Sequence, residues 1–225
     1  MKYYAQLSFV LCLIITPFSL AAQDVVHYNN PQVLDFAERR CYHLEMDRER
    51  LVFEDGSVVH NCIDYTRKAA YSLPAEDFAN RTNLQAYLVC DTLTALPGNA
   101  EYIQSEDIAA ETEHLFQHLD IQSFASSLRP QLEDERTLED LASIWQTAVE
   151  GGSITLQAPD WRFELRLVAV LSEAANDQKQ WLLWLLDEAK DGTYRDYAVL
   201  LARPGETDDR LIARRLPDRL QDNSQ

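Results

Sequence analysis

The stretch Trp161-Arg162-Phe163-Glu164-Leu165-Arg166-Leu167-Val168-Ala169-Val170-Leu171-Ser172 decides the fold. Its first half alternates apolar and charged residues, the period of a strand with one wet face. Val168 and Val170 make the second half apolar on both faces, as in a strand that runs into a core. On this pattern Trp161, Phe163, Leu165, Leu167, Ala169 and Leu171 share one face, with Arg162, Glu164 and Arg166 opposite. Cross-strand ion pairs, with Tyr194 or Asp196 as neighbours, are the first reading of the charged face; a ligand-binding face is the second.

Working outward, Ser153-Ile154-Thr155-Leu156-Gln157-Ala158 alternates and ends in a Pro159-Asp160 turn. Asn176-Asp177 turns the chain into Trp181-Leu182-Leu183-Trp184-Leu185-Leu186, apolar on both faces as in a central strand. Asp191-Gly192 then leads to a strand from Tyr194 to Ala202. Short links between such runs predict an antiparallel three- or four-stranded meander over 151–225. After Pro204-Gly205, residues 208–216 read as a short amphipathic helix with Leu211, Ile212 and Leu216 inward. Arg210, Arg214, Arg215 and Arg219 would gather there, either as ion-pair partners of an acidic body or as a docking patch for an anionic partner.

Residues 22–150 read as helical. Asn30-Pro31 opens a helix whose stripe is Val33, Leu34, Ala37, Cys41 and Leu44. Asp55-Gly56 is a strong hairpin turn within Arg50–His60. Further helices are expected over 63–71, over 83–96 behind Thr82, from Ser105 through Leu119, and from Thr137 to Val149, where Gly151-Gly152 ends the run. A turn or two of helix through Ile121, Phe124 and Leu128 stops at Pro130. The expected fold is α+β, one domain over 22–225, with a helical half packed on one face of the meander.

Residues 1–21 resemble a secretory leader: Lys2, an apolar run from Leu7 to Ile15, then Ser19-Leu20-Ala21 as a small-x-small cleavage site. Cys12 lies inside that run without the small residues of an acylation site before it. The expected compartment is the periplasm, with no later membrane span and a disulfide among Cys41, Cys62 and Cys90. The hairpin returns the chain toward the first helix, so Cys41–Cys62 is the expected bridge, with Cys41–Cys90 next and Cys90 otherwise a packed thiol on a buried helix face. A nucleophilic Cys62 activated by His60, two residues earlier on a strand, is the catalytic alternative.

Chemistry is otherwise sparse. His114 and His118 stand four apart with Glu111 one turn earlier, a spacing that would put two imidazoles and a carboxylate on one helix face for zinc or copper. A solvated face with two histidines is the competing reading. Glu133-Asp134-Glu135 reads as solvated charge before a cap, and Asn80-Arg81-Thr82 matches a glycosylation acceptor. Only Lys2, Lys68, Lys179 and Lys190 are available for Schiff-base chemistry, and the chain has no phosphate loop, dinucleotide fingerprint, Ser elbow or Cys-x-x-Cys pair. With 6 glycines in 225 residues the backbone has few places to approach a cofactor, and none is expected.

The 37 acidic residues against 20 basic give a net charge of -17, which opposes binding to nucleic acid or anionic lipid and suits a basic partner. The reading that results is an exported protein acting by protein binding. It would serve as an inhibitor or immunity protein against an envelope-targeted toxin or hydrolase, or as an accessory factor of an envelope assembly. The alternatives are a hydrolase or metal-binding enzyme using the residues above, and a small-ligand carrier using the concave face of the sheet.

Overall fold

A computed structural model describes residues 23–28, 30–132, 136–174, 178–206 and 209–217. The expected leader, Cys12, Glu133-Asp134-Glu135, the Asn176-Asp177 turn and Arg219 lie outside the described residues.

The chain begins with β1 (Val25–Tyr28), α1 (Pro31–Glu38), α2 (Arg40–Glu45), β2 (Leu51–Val52), β3 (Val58–Val59) and α3 (Cys62–Ala69). Then come α4 (Phe78–Asn83), a 3-10 turn (Leu84–Tyr87), α5 (Leu88–Ala95), β4 (Glu101–Gln104), α6 (Ile108–His118) and β5 (Leu119–Asp120). The last part holds a 3-10 turn (Arg129–Gln131), α7 (Leu138–Leu141), β6 (Gln146–Glu150), β7 (Ser153–Gln157), β8 (Trp161–Ser172), β9 (Lys179–Ala189), β10 (Arg195–Pro204) and β11 (Leu211–Leu216).

The expected meander is present but forms the centre of a larger sheet. Among the described residues nine strands join, in the order β4-β1-β8-β9-β10-β11-β5, with the β6–β7 hairpin also against β8. Among the described strands only the β1–β4 and β11–β5 pairs are parallel. β8 is long enough to hold two neighbours end to end on one edge: Gln157 to Ser153 of β7 opposite Arg162 to Arg166, and Tyr28 to Val25 of β1 opposite Ala169 to Ser172.

A bulge between Leu167 and Ala169 interrupts the pairing of β8 with β9. One extra residue reverses the alternation, because each residue turns the side chain to the opposite face. Phe163, Leu165, Leu167 and then Val170 therefore pack in one core, while Val168, Ala169 and Leu171 pack in the other. The single face expected from Trp161 to Leu171 is thus split in the middle.

Both faces of the sheet are covered, a correction to the one-sided packing expected. Leu115 and Phe116 of α6 and Leu138 and Leu141 of α7 lie on one side, together with Ile121, Phe124 and Leu128. Val33 of α1 and Leu88 and Leu96 at the ends of α5 lie on the other. A third core holds Leu51, Phe53, Val59, Cys62, Tyr65, Tyr87, Cys90 and Leu93. Every residue of α5 from Leu88 to Leu93 is buried, since one side meets the sheet and the other meets this third core. The third core is the centre of a small lobe built from α3, α5 and the β2–β3 hairpin.

Several local expectations gave way to tertiary pairing. The first helix breaks at Arg39 (φ -106°, ψ 31°). The break rotates α2, so His43 is buried and Cys41 exposed, the reverse of the stripe expected for one continuous helix. The helix expected behind Thr82 starts earlier, at Phe78, because the Asp77 side chain accepts from the backbone of Asn80 at 2.9 Å. The helix from Thr137 stops at Leu141, although the Thr137–Asp140 capping box forms as such a start requires. Gly151 and Gly152, both at positive φ (56° and 86°), make a two-residue hairpin turn, so Gln146–Glu150 pairs with β7 as a strand. The helix expected over 208–216 is, where described, strand β11 on the edge of β10. Leu211 and Ala213 are buried there at a spacing of two.

Candidate functional site

The bridge in the small lobe joins Cys62 to Cys90, with Cα atoms 5.0 Å apart, and Cys41 is a free, exposed thiol. This overturns the expected Cys41–Cys62 pairing. Asn61 caps α3 by accepting from the Asp64 backbone at 2.8 Å, which places Cys62 on the first turn of a helix and not on the hairpin's return strand. From there it faces the middle of α5. A bridged Cys62 also removes the thiolate needed for a pair with His60.

The hairpin itself forms, with Val52 opposite Val58 across a turn in which Gly56 has φ 80°. A third extended segment, Leu73-Pro74-Ala75, lies along the other side of β2. Glu54 donates its N–H to the Leu73 carbonyl and Ala75 to the Val52 carbonyl, each at 2.9 Å, and Phe53 faces Pro74. Asn80 fastens this segment down. Its amide nitrogen donates to the carbonyls of Val52 (2.7 Å) and Ala75 (2.9 Å), and its amide oxygen accepts from Val52 N–H (2.9 Å). Asn80 is buried, which leaves no room for a glycan on the Asn80-Arg81-Thr82 triplet.

Alternation along these short strands sends Leu51, Phe53 and Val59 into the lobe's core and puts Val52, Glu54, Val58, Leu73 and Ala75 on its outer face. Val58 and Leu73 are each 46% exposed, and Phe78 (54%) and Tyr71 (81%) flank the third segment. Of the nine large apolar side chains most exposed among the described residues, four (Val58, Ile63, Tyr71 and Leu73) lie on this lobe or the segment along β2, and a fifth, Phe78, starts α4 next to that segment in the chain. A concentration of this kind marks an interaction surface more often than scattered single residues do. Acidic groups border it: Glu54, Asp55, Glu76 and Asp77 are exposed. Asp55 is held by Lys68, whose ammonium is the main cause that keeps the carboxyl below its usual range, with Ser57 adding a smaller effect. Glu76 pairs with Arg81 at 3.4 Å.

The residues expected to hold a metal are otherwise engaged. The two oxygens of Glu111 accept from Lys179 Nζ and Trp181 Nε1, both at 2.8 Å. The His114 ring packs 5.4 Å from the Trp181 ring and 4.6 Å from that of His118. Among the described residues no group of three or more His, Cys, Asp or Glu is placed to hold an ion. Burial pushes the Glu111 carboxyl up, but the bonds from Lys179 and Trp181 outweigh it and the net direction is down. Burial, then the neighbouring His118, lowers the His114 imidazole from its usual 6.5.

A lowered imidazole means that the folded chain prefers neutral His114. Its contribution is complete above pH 6.5 and is lost as the pH falls through the lower folded value. Thermal unfolding should therefore show a decline in Tm below pH 6.5 that His114→Asn flattens. Parallel Tm-against-pH curves for the two proteins would place His114 in free solvent.

Among the described residues, Arg210 and Arg215 of the expected arginine group pair with the acidic body. Arg210 reaches buried Asp120 at 2.8 Å, and one nitrogen of Arg215 reaches both oxygens of Asp196 at 2.7 Å. Arg214 also has a partner. On β8, Arg162 and Arg166 close on the buried Glu164 between them, Arg166 at 2.7 Å. Ion pairs thus account for this charged face. They run along one strand, and the residues opposite on β9 are Glu188, Leu186 and Trp184, not Tyr194 or Asp196.

No family model matches the chain, and neither a curated protein nor a solved structure matches it. The outer face of the small lobe had only a faint trace in the sequence. Tyr71, Leu73 and Phe78 are large apolar residues that fit neither the stripe of α3 nor that of α4, and such out-of-phase residues are the signal that would have found it.

Proposed function

We propose that this protein works by binding another protein through the outer face of the disulfide lobe. The fitting partner presents an aromatic or aliphatic anchor flanked by Lys or Arg. The observation that carries the reading is the exposure of Val58 and Leu73 on one face of the hairpin, with Tyr71 and Phe78 exposed on either side of Leu73 in the chain and Glu54 and Glu76 exposed nearby in sequence. Apolar centres with charged rims are the usual anatomy of such contacts, and the net charge of -17 favours a basic partner and speeds its arrival. The leader-like residues 1–21 and the Cys62–Cys90 bridge support a place in an oxidising compartment, which for this leader is the periplasm. There the protein would act as an inhibitor or immunity protein against an envelope-targeted toxin or hydrolase, or as an accessory factor of an envelope assembly.

Photo-crosslinking in intact cells tests this. A crosslinking residue at Leu73 should yield one dominant adduct, absent when the residue is placed at the exposed Ile144 instead. Phe78→Glu should remove it, because loss of a central anchor weakens binding by about thirtyfold or more. Tyr71→Glu should act in the same direction. No adduct from Leu73, the same adducts from both positions, or indifference to Phe78→Glu overturns the reading.

A further inference from the structure

β6 lies at an edge of the sheet, with β7 as its one neighbour among the described strands. The ladder fixes which of its backbone groups point outward. Leu167 of β8 donates its N–H to the Gly152 carbonyl, so by alternation Ile154 and Leu156 of β7 bond to β8. Ser153, Thr155 and Gln157 then bond to β6, opposite Glu150, Ala148 and Gln146. Thr147 and Val149 therefore turn their N–H and C=O groups away from the sheet, and neither backbone meets a hydrogen-bond partner among the described residues.

A bare edge invites a further strand, and natural edges are blunted by Lys, Pro, a bulge or a cover. Gln146-Thr147-Ala148-Val149-Glu150 has neither Lys nor Pro and pairs with β7 in unbroken register. The opposite side of the sheet is treated differently: β5 covers Leu211 and Ile212 of β11, and the Ser123 hydroxyl accepts from the Ala213 N–H at 2.9 Å. Charge beside the β6 edge is balanced as well. β6 and β7 carry Glu150 alone, and the stretch of β8 behind them carries Arg162, Glu164 and Arg166, so two acids meet two arginines in a chain of net charge -17. β4, the edge strand next to β1, begins on Glu101 and leads into Glu106-Asp107 without such a balance.

We infer that β6 is a dimerisation edge, on which a second copy of this chain pairs antiparallel about a twofold axis at Ala148 and continues the sheet from one molecule into the next. An added strand completes the ladder only where outward-facing residues meet outward-facing residues. Centring on Ala148 sets Thr147 opposite Val149 of the second copy, and the reverse, in two hydrogen-bonded pairs that make four backbone bonds. The same register sets Glu150, the strand's one charge, opposite neutral Gln146, so no like charges face each other. Ile144, 64% exposed, comes level with the Gly151-Gly152 turn of the second copy, where no side chain obstructs it. The strand thus complements itself, which is what makes a second copy the fitting occupant. The edge shares no residue with the outer face of the disulfide lobe, so the two assignments stand or fall separately.

Sedimentation equilibrium of the purified protein tests it. A reversible monomer–dimer equilibrium in the micromolar range is expected, because so short an edge makes a small interface. It should tighten as salt screens the repulsion between two acidic molecules. Ala148→Lys sets two ammonium groups face to face, and Thr147→Pro removes an outward N–H without touching the ladder to β7. Each should weaken the dimer by about tenfold or more. Phe78→Glu should leave it unchanged. Cysteine crosslinking reads the register directly. In a Cys41→Ser background with oxidised glutathione as the oxidant, Ala148→Cys should form an intermolecular disulfide, since the two copies of this residue face each other. Glu150→Cys should not, since its two copies lie about 14 Å apart in this register. A monomer at every concentration, a dimer that keeps its affinity in both edge variants, a dimer broken by Phe78→Glu, or equal crosslinking at 148 and 150 overturns the inference.

Discussion

Asp187→Ala should destabilise the protein by about 3–5 kcal/mol, a fall in Tm of about 10 °C or more. Asp187 lies on β9 with no exposure to solvent, facing the core shared with α6 and α7. Its carboxylate organises a clasp. One oxygen accepts from the Ser127 backbone at 2.7 Å, and the other from the Ser127 hydroxyl at 2.6 Å and Trp161 Nε1 at 2.7 Å. The clasp holds the loop that carries Phe124 and Leu128 against the sheet and joins it to the start of β8. Truncation removes the shared acceptor of three donors on half-buried Ser127 and Trp161, and each group left unpaired costs about 1–3 kcal/mol. Asp187→Asn keeps the shape and one acceptor oxygen, so its cost should be smaller, about 1–2 kcal/mol. Denaturant unfolding of the two variants checks the order, and an Asp187→Ala protein within 1 kcal/mol of wild type would mean that water serves these donors.

Burial holds the Asp187 carboxyl above its ordinary 3.8, and the Ser127 and Trp161 donors offset this only in part. The folded chain therefore binds this proton more readily than the unfolded one. The group's contribution is largest at the acid end and declines as the pH rises from 3.8 through the folded value. Asp187→Asn should remove that decline from the pH–stability profile. His114 works in the opposite sense, losing stability as the pH falls below 6.5, so single variants separate the two.

Removing the bridge with Cys62→Ala and Cys90→Ala should cost about 3–4 kcal/mol, from the entropy of a loop that spans 28 residues. The loss should be concentrated in the disulfide lobe. Its core is small, and the bridge ties α3 to the helix that also supports the sheet. Hydrogen exchange should then show Leu51–Val59 and Cys62–Ala69 opening ahead of β8, β9 and β10. Cys41→Ser should stay within about 0.5 kcal/mol of wild type, as exposed substitutions do. Peptide mapping after alkylation without reduction should find Cys41 modified and Cys62 linked to Cys90. A peptide linking Cys41 to Cys62 would reverse the assignment.

The β-strands were legible where turn chemistry and period agreed. Pro159-Asp160 and Asp191-Gly192 bound strands that the structure places within a few residues of the expected limits. Helix starts were legible for the same reason, since Asn30-Pro31 and Thr137 act through groups a few residues away. Helix ends were less so. Gln146 to Glu150 carries a pattern that a helix tolerates, and only pairing with β7 makes it a strand. The lobe's exposed face was hidden because it depends on Leu73-Pro74-Ala75 joining β2, across more than twenty residues, through the side chain of Asn80. The surroundings of the expected metal residues were hidden for the same reason: Glu111 and His114 share a helix face as expected, but Lys179 and Trp181 come to that face from a strand some seventy residues away.

The sequence by itself determined an acidic chain, the run of antiparallel strands after residue 151, a central apolar strand at Trp181 to Leu186, and a hairpin at Asp55-Gly56. Each of these follows from local sterics, hydrogen bonding within a few residues, or the period of apolar side chains. The tertiary structure alone decided which cysteines meet, that both faces of the sheet are covered, and where the carboxylates of Asp187, Glu164 and Glu111 find their partners. Those outcomes turn on single-residue events, the break at Arg39 and the bulge after Leu167. One residue of rotation or register there exchanges the buried side chain for the exposed one, and composition and period are nearly blind to it.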